Sequence, residues 1–222
     1  NLLISNHQKL KLQGIRAGSQ PLSVALEKVY VSLSILDKSS GNESKLKGER
    51  AFDVDEMHAG YLSIASALQR YRRLVIIGDP GSGKTTLLAY LTLTYARDRQ
   101  SASGAVHERL SLAEADTLPI FLPLRDLGYH LKEKNNHAGK DGPAVLLDYL
   151  REYYQMQQIV LPKDFFNEAL EDGKAVLLLD GMDEVADKKM RQRVARLIEI
   201  FAARYPDARY VVTSREVGYE GA

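Results

Sequence analysis

Four short runs, each apolar almost throughout, punctuate the chain at residues 74–77, 119–124, 175–179 and 209–213. Longer stretches with helical spacing lie between them, at 84–97, 144–157, 163–172 and 187–205. Strands that are apolar at every position, rather than every second one, need cover on both faces. Alternation of such strands with helices predicts an α/β fold in three layers around a parallel sheet.

The first fifty residues follow a different pattern. Residues 22–28 have the composition of a short helix, and Val29, Val31, Leu33 and Ile35 alternate with Tyr30, Ser32, Ser34 and Leu36 at the period of a half-buried strand. Residues 37–49 turn polar and rich in Lys, Ser and Gly, the composition of an exposed linker. We therefore expect a lead-in subdomain over 1–50 and the main domain over 51–222. Asp53 or Asp55 can cap a helix running to about Arg72, with Leu62, Ile64, Leu68 and Tyr71 on its buried side. Residues 101–104 and 132–142 read as polar loop insertions. No internal repeat is visible.

Composition narrows the function classes. The 222 residues carry 30 Lys+Arg against 29 Asp+Glu, and 30 − 29 = +1 gives no global field toward nucleic acid or an anionic membrane. The basic cluster at 70–73 reads as a solvated helix end, and no direct nucleic-acid binding is expected. Zero Cys excludes disulfides and Cys-ligated metal centres, and fits a reducing compartment. The five His, at 7, 58, 107, 130 and 137, lack metal-ligand spacing. The longest purely apolar run, 175–179, is far short of the roughly 18 residues of a membrane span. The amino end has no basic region or cleavage site, so a cytoplasmic location is expected. Without an initiator Met, the chain reads as a piece of a longer protein or a processed product.

The strongest chemical signal is Gly78, Asp79, Pro80, Gly81, Ser82, Gly83, Lys84 and Thr85, followed by Thr86. It fits G-x-x-x-x-G-K-[ST] between a strand and a helix, the setting in which such a loop wraps phosphate. Glycines let backbone N–H groups face phosphate oxygens, and the following helix adds its positive dipole end. Lys84 would reach the β- and γ-phosphates, and the Thr85 hydroxyl would ligate Mg2+. The run at 175–179 ends in Asp180, then Gly181, Met182, Asp183 and Glu184. A strand-terminal Asp180 can hold Mg2+, while Asp183 or Glu184 orients or deprotonates an attacking water. Strand-terminal acids also cap helices; a glycine-rich phosphate loop about 95 residues upstream favours the metal role. Arg215, ending Thr213-Ser214-Arg215 after the fourth strand, can face the γ-phosphate opposite Lys84.

Together these residues resemble the NACHT class of the STAND P-loop ATPases, the group of NOD-like receptors and bacterial defence proteins. The likeness rests on the phosphate loop, on Leu122-Pro-Leu-Arg-Asp-Leu127, on Leu177-Leu-Leu-Asp-Gly-Met-Asp-Glu184 and on Thr213-Ser-Arg215. The small Gly181 after Asp180 separates it from AAA+ ATPases, which place Glu there. Lead-in segments 10–15 and 29–33 also look like the linker that precedes bacterial NACHT modules. The resemblance implies an ASCE-type core, with residues 78–86 around ATP or ADP, Thr85 and Asp180 at Mg2+, Asp183 and Glu184 as the hydrolysis pair, and Arg215 as sensor. We expect strand order 2-3-1-4, with a fifth strand and lid domains beyond residue 222. Glu216 stands where many relatives carry Pro.

The resemblance further implies a nucleotide-driven oligomerisation switch in bacterial antiphage immunity or signalling, with slow hydrolysis. Its partners would be nucleotide, further copies of itself, and its own lid, effector and sensor domains. The loop at 47–52 is a candidate wall of the base pocket. The rivals are an AAA+-like ATPase and a nucleotide-binding scaffold that never hydrolyses. No LSGGQ-like signature supports an ABC ATPase, and no N-K-x-D motif supports a GTPase.

Overall fold

The computed structural model describes residues 2–17, 20–26, 30, 34–36, 61–134 and 141–216. A short helix, α1 (Leu2–His7), leads into an antiparallel hairpin of β1 (Lys9–Ala17) and β2 (Gln20–Ala25). Over 22–25 the expected helix is replaced by a strand, in which Ser23, Val24 and Ala25 pair with Lys11, Leu10 and Lys9; Leu26 is helical, and 27–28 lie outside the described residues. Alternating Lys and Leu at 9–12 provide the partner, and cross-strand pairing outweighs the weak helical preference of a window holding Ser23 and Val24. The strand expected over 29–36 is described at β3 (Ser34–Leu36), paired with β4 (Tyr61–Ser63).

Helix α2 (Ile64–Arg70) begins later than expected because residues 61–63 are spent on that pairing. Its cap is Ser63, whose Oγ accepts from the Ser66 amide at 3.1 Å. Ile64 and Leu68 are buried, while Leu62 and Tyr71 are half-buried. Asp53, Asp55, the linker at 37–49, the boundary near 50 and the loop at 47–52 lie outside the described residues.

The main domain then runs β5 (Arg73–Ile77), α3 (Lys84–Ser101), α4 (Ala105–Leu110), β6 (Leu118–Pro123), α5 (Leu124–Glu133) and α6 (Pro143–Met156). It continues α7 (Phe165–Glu171), β7 (Ala175–Asp180), α8 (Lys188–Arg204) and β8 (Arg209–Ser214). Helices α4 and α5 fall where the sequence pattern predicts no element. Helix α5 reaches into the segment expected to be a loop at 132–142, of which 135–140 lie outside the described residues. Asp187 caps α8 by accepting from the Met190 amide at 2.8 Å, a contact worth about 1 kcal/mol.

The four main-domain strands are parallel, in the order β5-β8-β7-β6. This corrects the expected 2-3-1-4: the last strand lies between the strand of the phosphate loop and the strand of Asp180, giving 2-3-4-1. Strands buried on both faces carry no alternation that names their neighbours. Polar contacts at the strand ends accompany the observed order: the Gly78 amide donates to the Ser214 carbonyl at 3.2 Å and the Gly181 amide to Thr213 Oγ1 at 2.9 Å.

Strand β7 shows the three layers directly. Ala175, Leu177 and Leu179 face a core shared with α5, α6, α7 and α8, whereas Val176 and Leu178 face a second core with α2, α3 and α4. All five are at most 1% exposed, and each large apolar side chain so buried contributes roughly 2 kcal/mol. The lead-in packs on the same body: Leu2 and Leu3 join the first core, and Tyr30 stacks on Tyr90 of α3 at 3.9 Å. The arginines expected to be solvated after α2 are used as well. Arg72 donates to the Asp207 carbonyl at 2.9 Å and Arg73 to the Ala202 carbonyl at 2.8 Å, near the negative end of the α8 dipole.

Candidate functional site

The carboxyl ends of β5, β7 and β8 open onto a cavity of about 230 Å³. Pro80, Gly81, Gly83, Lys84, Thr85 and Thr86 line one side, and Asp180, Gly181, Asp183, Glu184, Thr213 and Arg215 the other. Segments far apart in the sequence meet there because β8 lies between β5 and β7. Gly78, Asp79 and Ser82 stand behind the lining. The carbonyls of Gly78 and Asp79 accept from Lys84 Nζ at 2.6 and 2.8 Å, and Ser82 Oγ contacts it at 3.2 Å.

Local geometry explains the glycines. Gly81 and Gly83 take φ of 80° and 87°, left-handed values at which any side chain strains the backbone. Gly83 also serves as the α3 cap, and its carbonyl receives the Leu87 amide at 2.8 Å. The first turn of α3 therefore turns its free amides toward the cavity with no side chain capping them.

On the opposite side, Asp180 Oδ1 accepts from the Thr213 hydroxyl at 2.6 Å. Gly181 follows in left-handed backbone, φ 75°, and the chain closes a short 3-10 turn over Met182–Glu184. The two acids of this turn then part company. Both Asp183 oxygens bind Arg215: Oδ1 accepts from its backbone amide at 2.9 Å and Oδ2 lies 3.0 Å from Nε. Asp183 is 14% exposed in its side chain, against 50% for Glu184. Glu184 Oε2 lies 4.0 Å from Nη1 of Arg125, at the start of α5.

Every residue expected at the metal, the phosphate loop or the hydrolytic step is therefore in or directly behind one cavity. Two further residues belong to the quoted motifs but have no expected role of their own. Thr213 bridges Asp180 to the Gly181 amide, and Arg125 stands beside Glu184. Helix α1 also reaches this end of the sheet, where His7 meets Phe121 edge-on at 4.7 Å. Burial holds the His7 pKa below its ordinary 6.5, with the negative charge of Asp180 opposing that shift.

Thr85 and Asp180 suit Mg2+. Hydroxyl and carboxylate are hard oxygen donors, and Mg2+ takes one or two protein carboxylates with phosphate and water completing its shell. Among the described residues no three His, Cys, Asp or Glu side chains converge as a metal-holding group.

A parallel sheet whose first strand feeds a phosphate loop and helix, faced by acids from the end of the strand next but one, defines a P-loop NTPase. The NACHT domain family model matches residues 72–221, about two-thirds of the chain, and the chain belongs to that family. NACHT domains are nucleotide-binding P-loop NTPases. Among curated proteins, an uncharacterised WD repeat-containing protein of Nostoc sp. is 25% identical over 157 residues, 70% of this chain. The match spans 9% of that relative's length. No solved structure matches the chain. Among the described residues no helix is long and apolar enough to cross a membrane.

Proposed function

We propose that this chain binds Mg·ATP and ADP in the 230 Å³ cavity and hydrolyses ATP slowly. The convergence of Lys84, Thr85, Asp180, Glu184 and Arg215 on that one cavity carries the reading. The amides of 81–86 and the Lys84 ammonium hold the phosphates, with Lys84 leaving its carbonyl partners for them. Thr85 and Asp180 would hold Mg2+, which when bound would supply charge neutralisation for the phosphates. Thr213 fixes the rotamer of Asp180 through its 2.6 Å hydrogen bond.

Glu184 is the group that takes a proton from the attacking water. Asp183 has both oxygens committed to Arg215 and sits deeper, so it aims that arginine at the γ-phosphate. A site of this kind distinguishes triphosphate from diphosphate through Arg215, the property a switch requires. Family membership supports such a switch, with self-association on the triphosphate side and a role in bacterial antiphage immunity or signalling. The long WD repeat-containing relative supports placing this NTPase within a longer chain.

Glu184→Gln tests the chemistry. In single-turnover assays with Mg·ATP it should lose about a hundredfold in rate, the usual scale for a general base. Nucleotide affinity should stay within about threefold of wild type, because the phosphate contacts are untouched. Hydrolysis unchanged in Glu184→Gln would remove Glu184 as the base, and nucleotide bound but not hydrolysed by wild type and variant alike would leave a non-hydrolysing scaffold as the better account.

A further inference from the structure

The geometry assigns Arg125 as a positioning residue for Glu184, an inference that rests on the hydrolytic reading above and adds a residue to it. Arg125 does not line the cavity, yet its Nη1 lies 4.0 Å from Glu184 Oε2. Two half-exposed side chains at that distance mean little unless their backbones are fixed. Here both are.

Register places Pro123 beside Asp180, so the first turn of α5 runs alongside the turn that follows β7. Leu124 and Leu127 are fully buried and share a core with Met182 and Val185. Gly128 permits the closest approach, since a Cβ there would meet Val185 Cγ1 at 3.0 Å. The acidic turn is pinned on its own side too. The Glu184 amide donates to the Gly181 carbonyl at 3.0 Å, and Arg191 Nη1 donates to the Val185 carbonyl at 3.0 Å.

Beneath Glu184 the bare Cα of Gly181 leaves room for the side chain to fold over the backbone, because a Cβ there would sit 3.1 Å from Cγ and Cδ. Gly181 thus opens the space into which Glu184 folds, and Arg125 supplies the charge that selects one orientation within it. Asp126 Oδ1, 3.5 Å from Arg125 Nε, faces the guanidinium as well. A base held this way meets its water without first searching rotamers, which is a contribution to rate and not to nucleotide binding.

Arg125→Met, Arg125→Lys and Glu184→Gln in otherwise intact protein test this. Arg125→Met should lower the single-turnover rate about tenfold with KM and nucleotide affinity unchanged, and Arg125→Lys should recover about half of that loss on a logarithmic scale. Protein purified with bound nucleotide should, on acid release, yield a higher ratio of ATP to ADP from Arg125→Met than from wild type. In the Glu184→Gln background, Arg125→Met should change neither the rate nor that ratio. A full rate with Arg125→Met, a loss appearing in KM or affinity, or an undiminished effect in the Glu184→Gln background would overturn the assignment. If Glu184→Gln itself hydrolyses at the wild-type rate, the hydrolytic reading fails first, and this inference fails with it.

Discussion

Strand β8 begins with one arginine and is followed directly by another, and the two live in opposite surroundings. Arg209 is 4% exposed. It forks onto Glu114, with Nε to Oε1 at 3.1 Å, and its Nη1 donates to the carbonyls of Leu68 and Tyr71 at 2.6 and 2.8 Å. Tyr95 closes the knot by donating to Glu114 at 2.8 Å. Arg215, at the far end of the strand, has a side chain 52% exposed and pairs with Asp183. The buried knot ties α2, α3 and the segment before β6 to the amino end of the sheet. The open pair at the carboxyl end leaves one side of the guanidinium facing the cavity, where the proposed function has it meet phosphate. The same residue type thus ties elements together where its donors are enclosed, and on the proposed reading serves ligand sensing where one side faces a cavity.

The sharpest way to break this contrast is Arg209→Met. Removing one partner of a buried pair strands the other, so unfolding in urea should show a loss of about 3–5 kcal/mol. Nucleotide affinity of the molecules that stay folded should not change. Acid sharpens the prediction. Burial by itself would raise the Glu114 pKa, but hydrogen bonds and charge from Arg209 outweigh it and hold the pKa below the ordinary 4.5. A depressed carboxylate contributes stability that is full above its unfolded value and lost as pH falls through the folded one. Removing Arg209 leaves burial to favour the neutral acid. The stability gap between wild type and variant should therefore narrow as pH is lowered from about 7 to about 3. A gap independent of pH would remove Glu114 from the account.

A smaller effect is expected at the other end. Asp183→Asn should change stability by less than about 1 kcal/mol, the range of a partly exposed pair. It should nevertheless reduce the preference for ATP over ADP about fivefold, because Arg215 loses the carboxylate that aims it. Equilibrium titration with each nucleotide checks this. A stability loss as large as that of Arg209→Met, with nucleotide preference intact, would make Asp183 and Arg215 a structural pair and erase the contrast.

Much of this is legible in one dimension, and particular residues show where legibility stops. The phosphate loop is a contiguous string whose glycines have a local conformational reason, so Gly81, Gly83, Lys84 and Thr85 can be placed without knowing the fold. The runs at 175–179 and 209–213 announce buried strands by being apolar at every position. Their order cannot be read, because strands apolar at every position carry no mark of their neighbours, and contacts such as Thr213 to Asp180 join residues 33 apart. The division of labour between Asp183 and Glu184 stays open for the same reason: adjacent acids look alike until each is seen beside its own arginine. In the lead-in, the Lys-Leu alternation at 9–12 carries a hairpin signal, but the helix-compatible composition of 22–28 conceals its partner strand.

The central claim is that the cavity at the carboxyl ends of β5, β7 and β8 holds a nucleotide by its phosphates. Denaturing the purified protein and identifying the released nucleotide, beside an identical preparation of Lys84→Ala and after incubation of both with excess Mg·ATP, tests it most directly. The account predicts close to one ATP or ADP per folded wild-type molecule and almost none from the variant. A folded wild type that neither carries nor takes up nucleotide, or a Lys84→Ala variant that retains as much as wild type, would contradict it.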